Sequence, residues 1–504
     1  MNTPILELKG INKSFTGHRV LHDIDLKIYP GEVLCLVGEN GCGKSTLIKI
    51  ISGVYAPDSG SVSLNGTLFP KLTPVISIKQ GVQVIYQDFS VFPNLSVAEN
   101  ISLGMQLVEG NKLMHWRQAR TMAQQALDTI GISLDLDAEV GGLSVSQKQI
   151  VAISRAILQN ARLIIMDEPT TALTNKEIER LYEIIRGLSA RGISVVFVSH
   201  KLDEVFAVCD RITVIRNGEI VADEYADKFE KENLVYYMTG ERIAEEPFRY
   251  TGASQTPLLQ VEKLCQKGAF EDISFSVFPG EILGITGQLG SGRTELAKAL
   301  FGIGKTTGGR ILVRGKEQHF RNIPDAKKAK IAYVPEDRLS EGLFMQRSLK
   351  DNFSAATIDQ KKKKNGLVDF KKVTEEAVNR IQELNINALS PDVLASTFSG
   401  GNQQRIVIGK WLATEPEILI LNGPTVGVDI KSKSEIHRIL KELAMKGMCI
   451  VLISDDVGEL LSTTNRILVM NGGRIIFESQ TSETSAEVLN RKILEDAVGE
   501  GHVK

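Results

Sequence analysis

The sequence predicts an α/β protein made of two tandem copies of one domain, and three observations support this. Short apolar runs typical of buried strands alternate with helix-like segments, a pattern that favours a mainly parallel sheet flanked by helices. The segment Pro30-Gly31-Glu32 recurs as Pro279-Gly280-Glu281, at an offset of 249 residues. The chain has 504 residues, whereas single domains usually span about 100–200. A repeat of this length indicates duplicated domains and not a solenoid of short units.

The apolar runs that predict buried strands lie at equivalent places in the two halves. They are Ile5–Leu8, Val33–Val37, Leu163–Met166 and Val195–Val198, followed by Leu258–Val261, Ile282–Ile285, Ile418–Leu421 and Ile450–Ile453. Between the halves, a polar stretch contains glycine, proline and serine, the composition of a short linker. We therefore expect one domain over residues 1–243, a linker over 244–257 and a second domain over 258–504.

The composition excludes several classes of protein. Lys and Arg total 59 against 61 for Asp and Glu, so the net charge of −2 argues against binding nucleic acid through a general positive surface. Apolar runs stay far below the ~20 residues that cross a bilayer, and the first residues lack a signal-peptide core. The five cysteines are scattered and never spaced C-x-x-C, which predicts reduced thiols in a cytosolic protein.

A glycine-rich segment after the strand predicted over Val33–Val37 indicates a nucleotide site. It runs Gly38-Glu39-Asn40-Gly41-Cys42-Gly43-Lys44-Ser45 and fits the pattern G-x-x-x-x-G-K-[ST]. A helix is expected directly afterwards, over Thr46–Ser52. In that context the glycines let backbone N–H groups wrap the phosphates, Lys44 supplies a cation and Ser45 can ligate Mg²⁺.

Other polar residues of the first half follow this segment in a consistent order. A predicted strand ends in Asp167-Glu168, of which Asp167 would hold the metal and Glu168 would orient or deprotonate the attacking water. Gln87 would sense the γ-phosphate through the metal, and His200, after another strand, would contact that phosphate. Phe15 is a candidate for stacking on the adenine. In isolation, His200 would more often be a surface histidine and Phe15 a core residue.

With these residues in place, the chain resembles a known family, the tandem ATP-binding cassette proteins that energise bacterial importers of simple sugars. The resemblance covers nearly the whole chain, and the strings Gly287–Glu295 and Pro335–Arg338 are particularly similar to sugar and polyol importers. The signature segments are Leu143–Gln149 and Phe398–Gln404. The resemblance implies two P-loop NTPase domains, each with a RecA-like α/β core, an antiparallel β subdomain and a helical signature subdomain.

The resemblance also implies cofactors, partners and a location. ATP and Mg²⁺ would be the cofactors, and ATP hydrolysis would power import of a monosaccharide or small polyol. Because the sequence predicts no membrane span, the sugar would pass through a separate transmembrane permease, docked near Gln87–Pro93 and Pro335–Leu343. An extracytoplasmic sugar-binding protein would deliver the substrate. The chain would sit peripherally on the cytoplasmic face of the bacterial inner membrane, with no nucleic acid as a partner.

In this family two cassettes pair head to tail, so each nucleotide lies between one P-loop and the signature segment of the other cassette. The pairing would join either the two halves of one chain or two copies of it. Small signature residues let backbone N–H groups approach the phosphates closely. The first P-loop, which extends to Thr46, would pair with Ser399, Gly400 and Gly401, and this site should hydrolyse ATP.

The other composite site departs from the family's pattern at its catalytic positions. Its P-loop keeps Gly287, Gly290, Gly292 and Thr294 but has Arg293 in place of the lysine. The further replacements are Glu336 for glutamine, Asp455 for histidine, Asn422-Gly423 for the Asp-Glu pair and Val145 for a signature glycine. We therefore expect catalysis at the first site and at most nucleotide binding at the second.

Two other functions remain open at this point. One is a soluble tandem cassette factor that acts on ribosomes or nucleic acid, and the other is a nucleotide-dependent regulator without transport. Factors of the first kind commonly have a long charged linker and two competent sites, unlike this chain. The transported sugar is not specified by the sequence, because specificity lies in the binding protein and the permease.

Overall fold

The computed structural model of the chain describes residues 3–15, 17–86, 89–108, 115–170, 173, 175–199, 201–242, 247–249 and 256–495. The chain divides into two compact units, Met1–Ile243 and Ala244–Lys504. None of the helices in these ranges is long and apolar enough to cross a bilayer.

The first unit alternates strands and helices along the chain. Its strands are β1 (Leu6–Phe15), β2 (His18–Ile28), β3 (Val33–Val37), β4 (Ser59–Leu64), β5 (Thr67–Phe69), β6 (Val82–Ile85), β7 (Leu163–Asp167), β8 (Ser194–Val198), β9 (Arg211–Arg216) and β10 (Glu219–Tyr225). Its helices are α1 (Lys44–Ile51), α2 (Pro74–Lys79), α3 (Val97–Val108), α4 (Trp116–Thr129), α5 (Val145–Leu158), α6 (Asn175–Ala190), α7 (Leu202–Val208) and α8 (Lys231–Thr239).

The strands of the first unit form two sheets. Strands β2, β1, β4 and β5 pair antiparallel in that order, and the larger sheet has the order β10-β9-β3-β8-β7-β6. In the larger sheet β10 joins the edge antiparallel, whereas the other five strands run parallel. Because β3 lies between β8 and β9, its carboxyl end opens at the centre of the edge where parallel sheets bind ligands.

The second unit repeats this pattern. Its strands are β11 (Leu259–Gln266), β12 (Phe270–Val277), β13 (Ile282–Gly287), β14 (Gly308–Val313), β15 (Lys316–Gln318), β16 (Ile331–Val334), β17 (Ile418–Asn422), β18 (Cys449–Ile453), β19 (Arg466–Asn471) and β20 (Arg474–Gln480). Its helices are α9 (Arg293–Leu300), α10 (Ile323–Lys328), α11 (Leu349–Ser354), α12 (Phe370–Glu383), α13 (Gly400–Leu412), α14 (Ile430–Met445), α15 (Val457–Thr463) and α16 (Ala486–Leu494).

The two sheets of the second unit have the same strand order as those of the first. The antiparallel sheet runs β12-β11-β14-β15 and the larger sheet runs β16-β17-β18-β13-β19-β20. Strand β13 takes the central place that β3 has in the first unit, with parallel neighbours on both sides. The internal repeat seen in the sequence is therefore a repeat of topology.

The core of each unit follows from these layers. Val33–Val37 and Ile418–Asn422 are buried at every position, since helices cover both faces of a parallel sheet, and this explains their continuous apolar sequence. Helices α3, α4 and α5 pack around a separate core that includes Val97, Ile101 and Leu127. The parallel-sheet core, the antiparallel sheet and the helical group confirm the predicted fold class.

Part of the predicted linker is bound to the second unit. The Phe248 ring packs against the core of that unit. Its N–H donates to the Ser462 carbonyl oxygen at 3.2 Å, and the Asn465 Nδ2 donates to the Phe248 carbonyl oxygen at 3.2 Å. Residues 243–246 and 250–255 lie outside the described part of the chain. The segment 247–249 thus belongs structurally with the second domain.

Candidate nucleotide site

The glycine-rich segment of the first unit connects the carboxyl end of β3 to the first turn of α1. Gly41 and Gly43 have φ angles of +83° and +113°, which glycine adopts at little cost. A Cβ at Gly43 would lie 2.6 Å from the Leu21 side chain, so the turn has no room for a larger residue. The turn places the first N–H groups of α1, and the positive end of its dipole, beside the loop, an arrangement that binds phosphate.

Lys44, the first residue of α1, is buried within this loop. Its Nζ donates hydrogen bonds to the carbonyl oxygens of Gly38 at 2.7 Å and Glu39 at 2.9 Å. The Cys42 Sγ lies 3.8 Å from the same Nζ, and burial raises the pKa of the Cys42 thiol. The loop therefore holds a lysine beside a thiol whose ionised form is disfavoured, so a phosphate would meet the lysine charge without an opposing thiolate.

Asp167 and Glu168 end the strand β7 at the same sheet edge. Glu168 has a φ of +48°, and its N–H donates to the Val198 carbonyl oxygen at 3.0 Å. Strand β7 pairs with β8, and β8 pairs with β3, so the pair lies on the side of the sheet that carries Lys44. Burial raises the pKa of Asp167, the Glu168 charge raises it further, and the Lys44 charge opposes the shift.

The residues at this edge fit a Mg²⁺ ion. Ser45 is exposed at the start of α1, and Asp167 offers a carboxylate whose ionised form is disfavoured by burial. Oxygen donors of this kind suit Mg²⁺, and a divalent cation would stabilise the ionised carboxylate. Gln87 and His200, the other predicted contacts of the metal and the γ-phosphate, lie outside the described residues.

Phe15 lies at the end of β1. Its side chain is 36% exposed and meets the Tyr55 ring edge to face at 5.2 Å between centroids. The Lys13 Nζ lies 5.4 Å from the Phe15 centroid. Phe15 is thus a half-exposed aromatic residue and not a core residue, and its stacking on adenine stays a prediction.

Sequence reasoning missed Glu204, a buried acid on α7. Its Oε2 accepts hydrogen bonds from the hydroxyl groups of Thr170 at 2.8 Å and Ser199 at 2.7 Å. Thr170 lies two residues after Glu168, and Ser199 directly precedes His200. Glu204 therefore ties together the two segments that carry the predicted catalytic residues.

The second unit has a buried acid, Glu459, at the matching place. The internal repeat of the sequence could therefore have pointed to both acids. The Glu459 carboxylate accepts hydrogen bonds from the hydroxyl groups of Thr425, at 2.8 Å, and Ser454. The spacing of Ser454 and Glu459 repeats that of Ser199 and Glu204. A buried acid at matched positions of a duplicated chain indicates a structural link that both copies need.

The second P-loop has the same geometry and a different cation. Arg293 begins α9 as Lys44 begins α1, and its Nη1 donates to the Gly287 carbonyl oxygen at 2.8 Å. The guanidinium also forms an ion pair with Asp455, the residue that replaces the histidine. The protein itself partly neutralises this cation, which weakens its attraction for a phosphate.

The strand end beside the second P-loop lacks an acid. The Asn422 Nδ2 donates to the Thr294 hydroxyl at 3.3 Å and lies 3.5 Å from the Glu336 Oε2. Gly423 follows with a φ of +56°, close to the φ of Glu168 at the matching place. An amide that donates to the threonine hydroxyl stands where the first unit has a carboxylate, so these residues fit Mg²⁺ less well than the first set.

The signature segments of the two units differ in how their serine is used. Ser144 caps α5 in a capping box with Gln147, and its Oγ lies 3.0 Å from the Ser146 Oγ. Ser399 takes the same place at α13, and its Oγ accepts from the Asn402 Nδ2 at 3.2 Å. Ser399 makes no such capping bond to its own helix. The bond from Asn402 uses the Ser399 oxygen as acceptor, so the hydroxyl proton of Ser399 can be donated to a ligand.

The two signature glycines of the second unit also have a packing role. A Cβ at Gly401 would overlap the Ser432 side chain, and a Cβ at Gly400 would lie 2.8 Å from the Arg338 Nη2. The sequence argument required glycine only for the approach of a phosphate. The structure adds a requirement from within the unit, because a side chain at Gly401 would overlap Ser432 and one at Gly400 would displace the Arg338 guanidinium.

The fold and this arrangement define a class of protein. The model of the ABC transporter family matches residues 21–171 and again residues 270–426. The first match contains the glycine-rich loop Gly38–Ser45 and the end of β7, and the second contains the loop Gly287–Thr294 and the end of β17. The chain therefore belongs to the ABC transporter family and is an ATPase with two ATP-binding cassettes in tandem.

The similarity extends to individual proteins over nearly their full length. The chain is 37% identical to ribose import ATP-binding protein RbsA of Bacillus subtilis, over 96% of this chain and 98% of that protein. It is 38% identical to the RbsA protein of Caldanaerobacter subterraneus, over 98% and 99%. It is 39% identical to the RbsA protein of Corynebacterium glutamicum, over 96% and 92%.

Proposed function

We propose that this protein is the ATP-hydrolysing subunit of an importer for ribose or a related monosaccharide or small polyol. The observation that carries the proposal is the full-length similarity to ribose import ATP-binding proteins. The first-unit site supports it, since Lys44, Asp167 and Glu168 lie at one sheet edge as ATP hydrolysis requires.

One composite site would hydrolyse ATP. The first P-loop would bind MgATP through Lys44, Ser45 and Asp167, and Glu168 would orient or deprotonate the attacking water. The Ser399–Gly401 segment would complete the site through its hydroxyl and backbone N–H groups. When bound, Mg²⁺ would neutralise charge on the transferred phosphoryl group.

The second composite site would bind nucleotide weakly or hold it without turnover. Its cation is paired with Asp455, and Gly423 supplies no carboxylate for water. On the opposite face, Val145 puts a β-branched side chain where the other signature segment has Gly400. These contacts support a division of labour between an active and an inactive site.

The subunit would act with a transmembrane permease and an extracytoplasmic sugar-binding protein, at the cytoplasmic face of the bacterial inner membrane. Exposed apolar side chains within or directly after the predicted docking segments support a protein partner there. Phe92 is 51% exposed, Leu339 is 53% exposed and Phe344 is 59% exposed.

The decisive experiment is ATPase stimulation in the reconstituted complex. The chain is combined with its permease in liposomes, and a panel of binding proteins loaded with ribose, other monosaccharides or polyols is added. Stimulation by one loaded binding protein, and not by its sugar-free form, supports the proposal and identifies the sugar. If no monosaccharide or polyol changes the ATPase rate, the sugar assignment is wrong.

A further inference from the structure

Arg338 stands at a junction of three elements of the second unit. It follows β16 and begins a π-helical turn over Arg338–Gly342. Its Nη1 donates to the Val426 carbonyl oxygen at 2.8 Å, and its Nη2 donates to that of Gly427 at 3.4 Å. Its Nε donates to the Gln403 Oε1 on the signature helix α13 at 3.4 Å. One side chain thus joins the loop after β16, the segment after β17 and the signature helix.

Gly400 leaves room for this guanidinium, and Gly427 lies in contact distance of it. A Cβ on Gly400 would lie 2.8 Å from the Arg338 Nη2 and 3.1 Å from the Gly427 carbonyl oxygen. Gly427 has a φ of +66°, and a Cβ there would lie 3.7 Å from both terminal nitrogens. The arginine head therefore occupies the space that a side chain at position 400 would need.

The junction is made at an energetic cost. Arg338 is half-buried, and burial lowers the pKa of its guanidinium. Within the described residues no carboxylate forms an ion pair with it, and the neighbouring Asp337 accepts instead from the N–H groups of Leu339 and Ser340. Desolvating a cation is unfavourable unless hydrogen bonds replace water. The carbonyl oxygens of Val426 and Gly427 provide those bonds.

In both units a cation on the signature helix binds the loop after the matching strand. Arg155 on α5 donates to the carbonyl oxygens of Ser90 at 2.9 Å and Phe89 at 3.1 Å, and Lys410, at the matching place on α13, donates to that of Gly342. Arg338 adds a second link in the second unit, because Phe89 stands at its place in the first unit, 249 residues earlier. At the position of Gly400 the first unit has Val145. The loop arginine and the glycine that admits it are thus found in the unit whose signature would serve the active site.

We propose that Arg338 is a positioning residue that fixes Ser399–Gly401 for hydrolysis of ATP bound at the first P-loop. The inference rests on the proposed pairing of that P-loop with the second-unit signature. Glu336, two residues before Arg338, lies 3.5 Å from the Asn422 Nδ2 at the second P-loop. A shift of this loop, caused by nucleotide or by the permease, would reach α13 through Arg338.

The test compares steady-state ATP hydrolysis by full-length variants of the purified chain. Arg338→Ala should lower kcat about tenfold or more, because the signature would no longer be fixed for the transition state, with ATP affinity changed by less than about twofold. Arg338→Lys should be intermediate, since an ammonium reaches fewer oxygens. Arg474→Ala is the matched control, because Arg474 is an exposed arginine of the same unit paired with Glu271, and its kcat should stay unchanged. Affinity is measured with a fluorescent ATP analogue in the Glu168→Gln background.

Each outcome decides between the proposals. If Glu168→Gln abolishes turnover but Arg338→Ala and Arg338→Lys keep the wild-type kcat, the inference is wrong and the proposed function stands. If Glu168→Gln leaves turnover intact, the proposed active site itself is wrong. A parallel loss of kcat, ATP affinity and thermal stability in Arg338→Lys would show a merely structural role and overturn the inference. Arg338→Lys carries the test if Arg338→Ala fails to fold.

A second measurement uses the contact with Gly400. Gly400→Ala should lower kcat both by displacing the guanidinium and by crowding the phosphates, and only the first part of the loss should disappear when Arg338 is already alanine, so the two losses should be less than additive. Such non-additivity is expected of two residues that act through one contact. Fully additive losses would contradict the positioning role.

Discussion

At the scale of single residues, the two cassettes place different chemistry on the same backbone. Glu168 and Gly423 have φ angles of +48° and +56°, and each N–H bonds to the next strand of its sheet. A left-handed conformation is costly for glutamate and cheap for glycine. The first unit therefore accepts a strained backbone at Glu168, where the proposed mechanism uses a carboxylate. The second unit has the same turn at Gly423 without the strain and without the carboxylate.

This difference predicts that Glu168→Gln abolishes steady-state ATP hydrolysis, because the amide cannot orient or deprotonate water as the carboxylate does. Gly423→Glu alone should restore little activity, since a Cβ there would lie 3.2 Å from the Glu336 side chain and Arg293 would remain paired with Asp455. The measurement is phosphate release by the purified chain. Near wild-type turnover by Glu168→Gln would refute the assignment of catalysis to the first P-loop.

Asp167 gives a prediction about stability and pH. Its raised pKa means that the folded chain without Mg²⁺ and nucleotide binds this proton more tightly than the unfolded chain does. Stability is therefore lost as pH rises from the ordinary aspartate value through the raised one, and the penalty persists above it. Asp167→Asn should remove the penalty.

The Tm of Asp167→Asn should thus exceed that of the parent chain at pH 7–8, and the gain should vanish at pH values below the ordinary aspartate pKa. Differential scanning calorimetry of both proteins without nucleotide or metal measures this. The same variant should lose MgATP hydrolysis, because it lacks the metal-binding carboxylate. A Tm gain that is equal at all pH values would exclude ionisation of Asp167 as its cause.

At the scale of elements, the sequence identified the buried strands because each is a continuous apolar run. The prediction over Val33–Val37 matches β3, and that over Ile418–Leu421 falls one residue short of β17. The edge strands β10 and β20 were not predicted, since all their residues are exposed or only partly buried and neither strand is a continuous apolar run. Pairing order depends on contacts between segments far apart in the chain, so no local pattern specifies it.

The candidate site likewise has one part that the sequence predicts and another part that only the structure shows. The loop around Lys44 and the strand end at Asp167 were predictable because their chemistry lies within a few consecutive residues. The contacts of Glu204 and Arg338 were not, because Glu204 binds Thr170 34 residues earlier and Arg338 binds Val426 88 residues later. The role of such a residue can be recognised only in the folded structure, where its distant partner lies beside it.

The signature helices give a prediction at the scale of elements. Gly400→Asp should lower ATP turnover about tenfold or more, because it fills the space at the start of α13 and adds negative charge near the phosphates. Ser146→Asp on α5 should have a much smaller effect on turnover, because its helix would serve the inactive site.

Both variants are compared by kcat, with circular dichroism to verify that they fold. Ser146→Asp also loses the hydrogen bond of its hydroxyl to Glu177, so a small fall in stability is expected and does not count against the prediction. Equal losses of kcat in the two variants would argue against pairing between the halves.

At the scale of the whole molecule, each unit has its own core. The described residues of the second unit form two apolar clusters, and those of the first include a cluster around β3 and one within the helical group. A unit with its own core can fold independently. Activity, on the proposed pairing, still requires both units.

We therefore expect that residues 1–243, produced alone, fold and bind ATP but show no steady-state hydrolysis, because the signature that completes their site lies in residues 244–504. Adding the second part as a separate chain should restore turnover in a concentration-dependent manner. Circular dichroism and phosphate release measure the two halves of this prediction. Full turnover by the first part alone would exclude a composite site.

The turn at Gly423 has a consequence for the stoichiometry of transport. A transporter that hydrolyses ATP alternately at its two sites needs a catalytic carboxylate at each site. Here the second turn keeps its backbone shape but carries no acid, and alternation is impossible on the proposed assignment. Each round of closing and reopening would then consume ATP only at the first P-loop of a chain, and the second P-loop would never take a turn in hydrolysis.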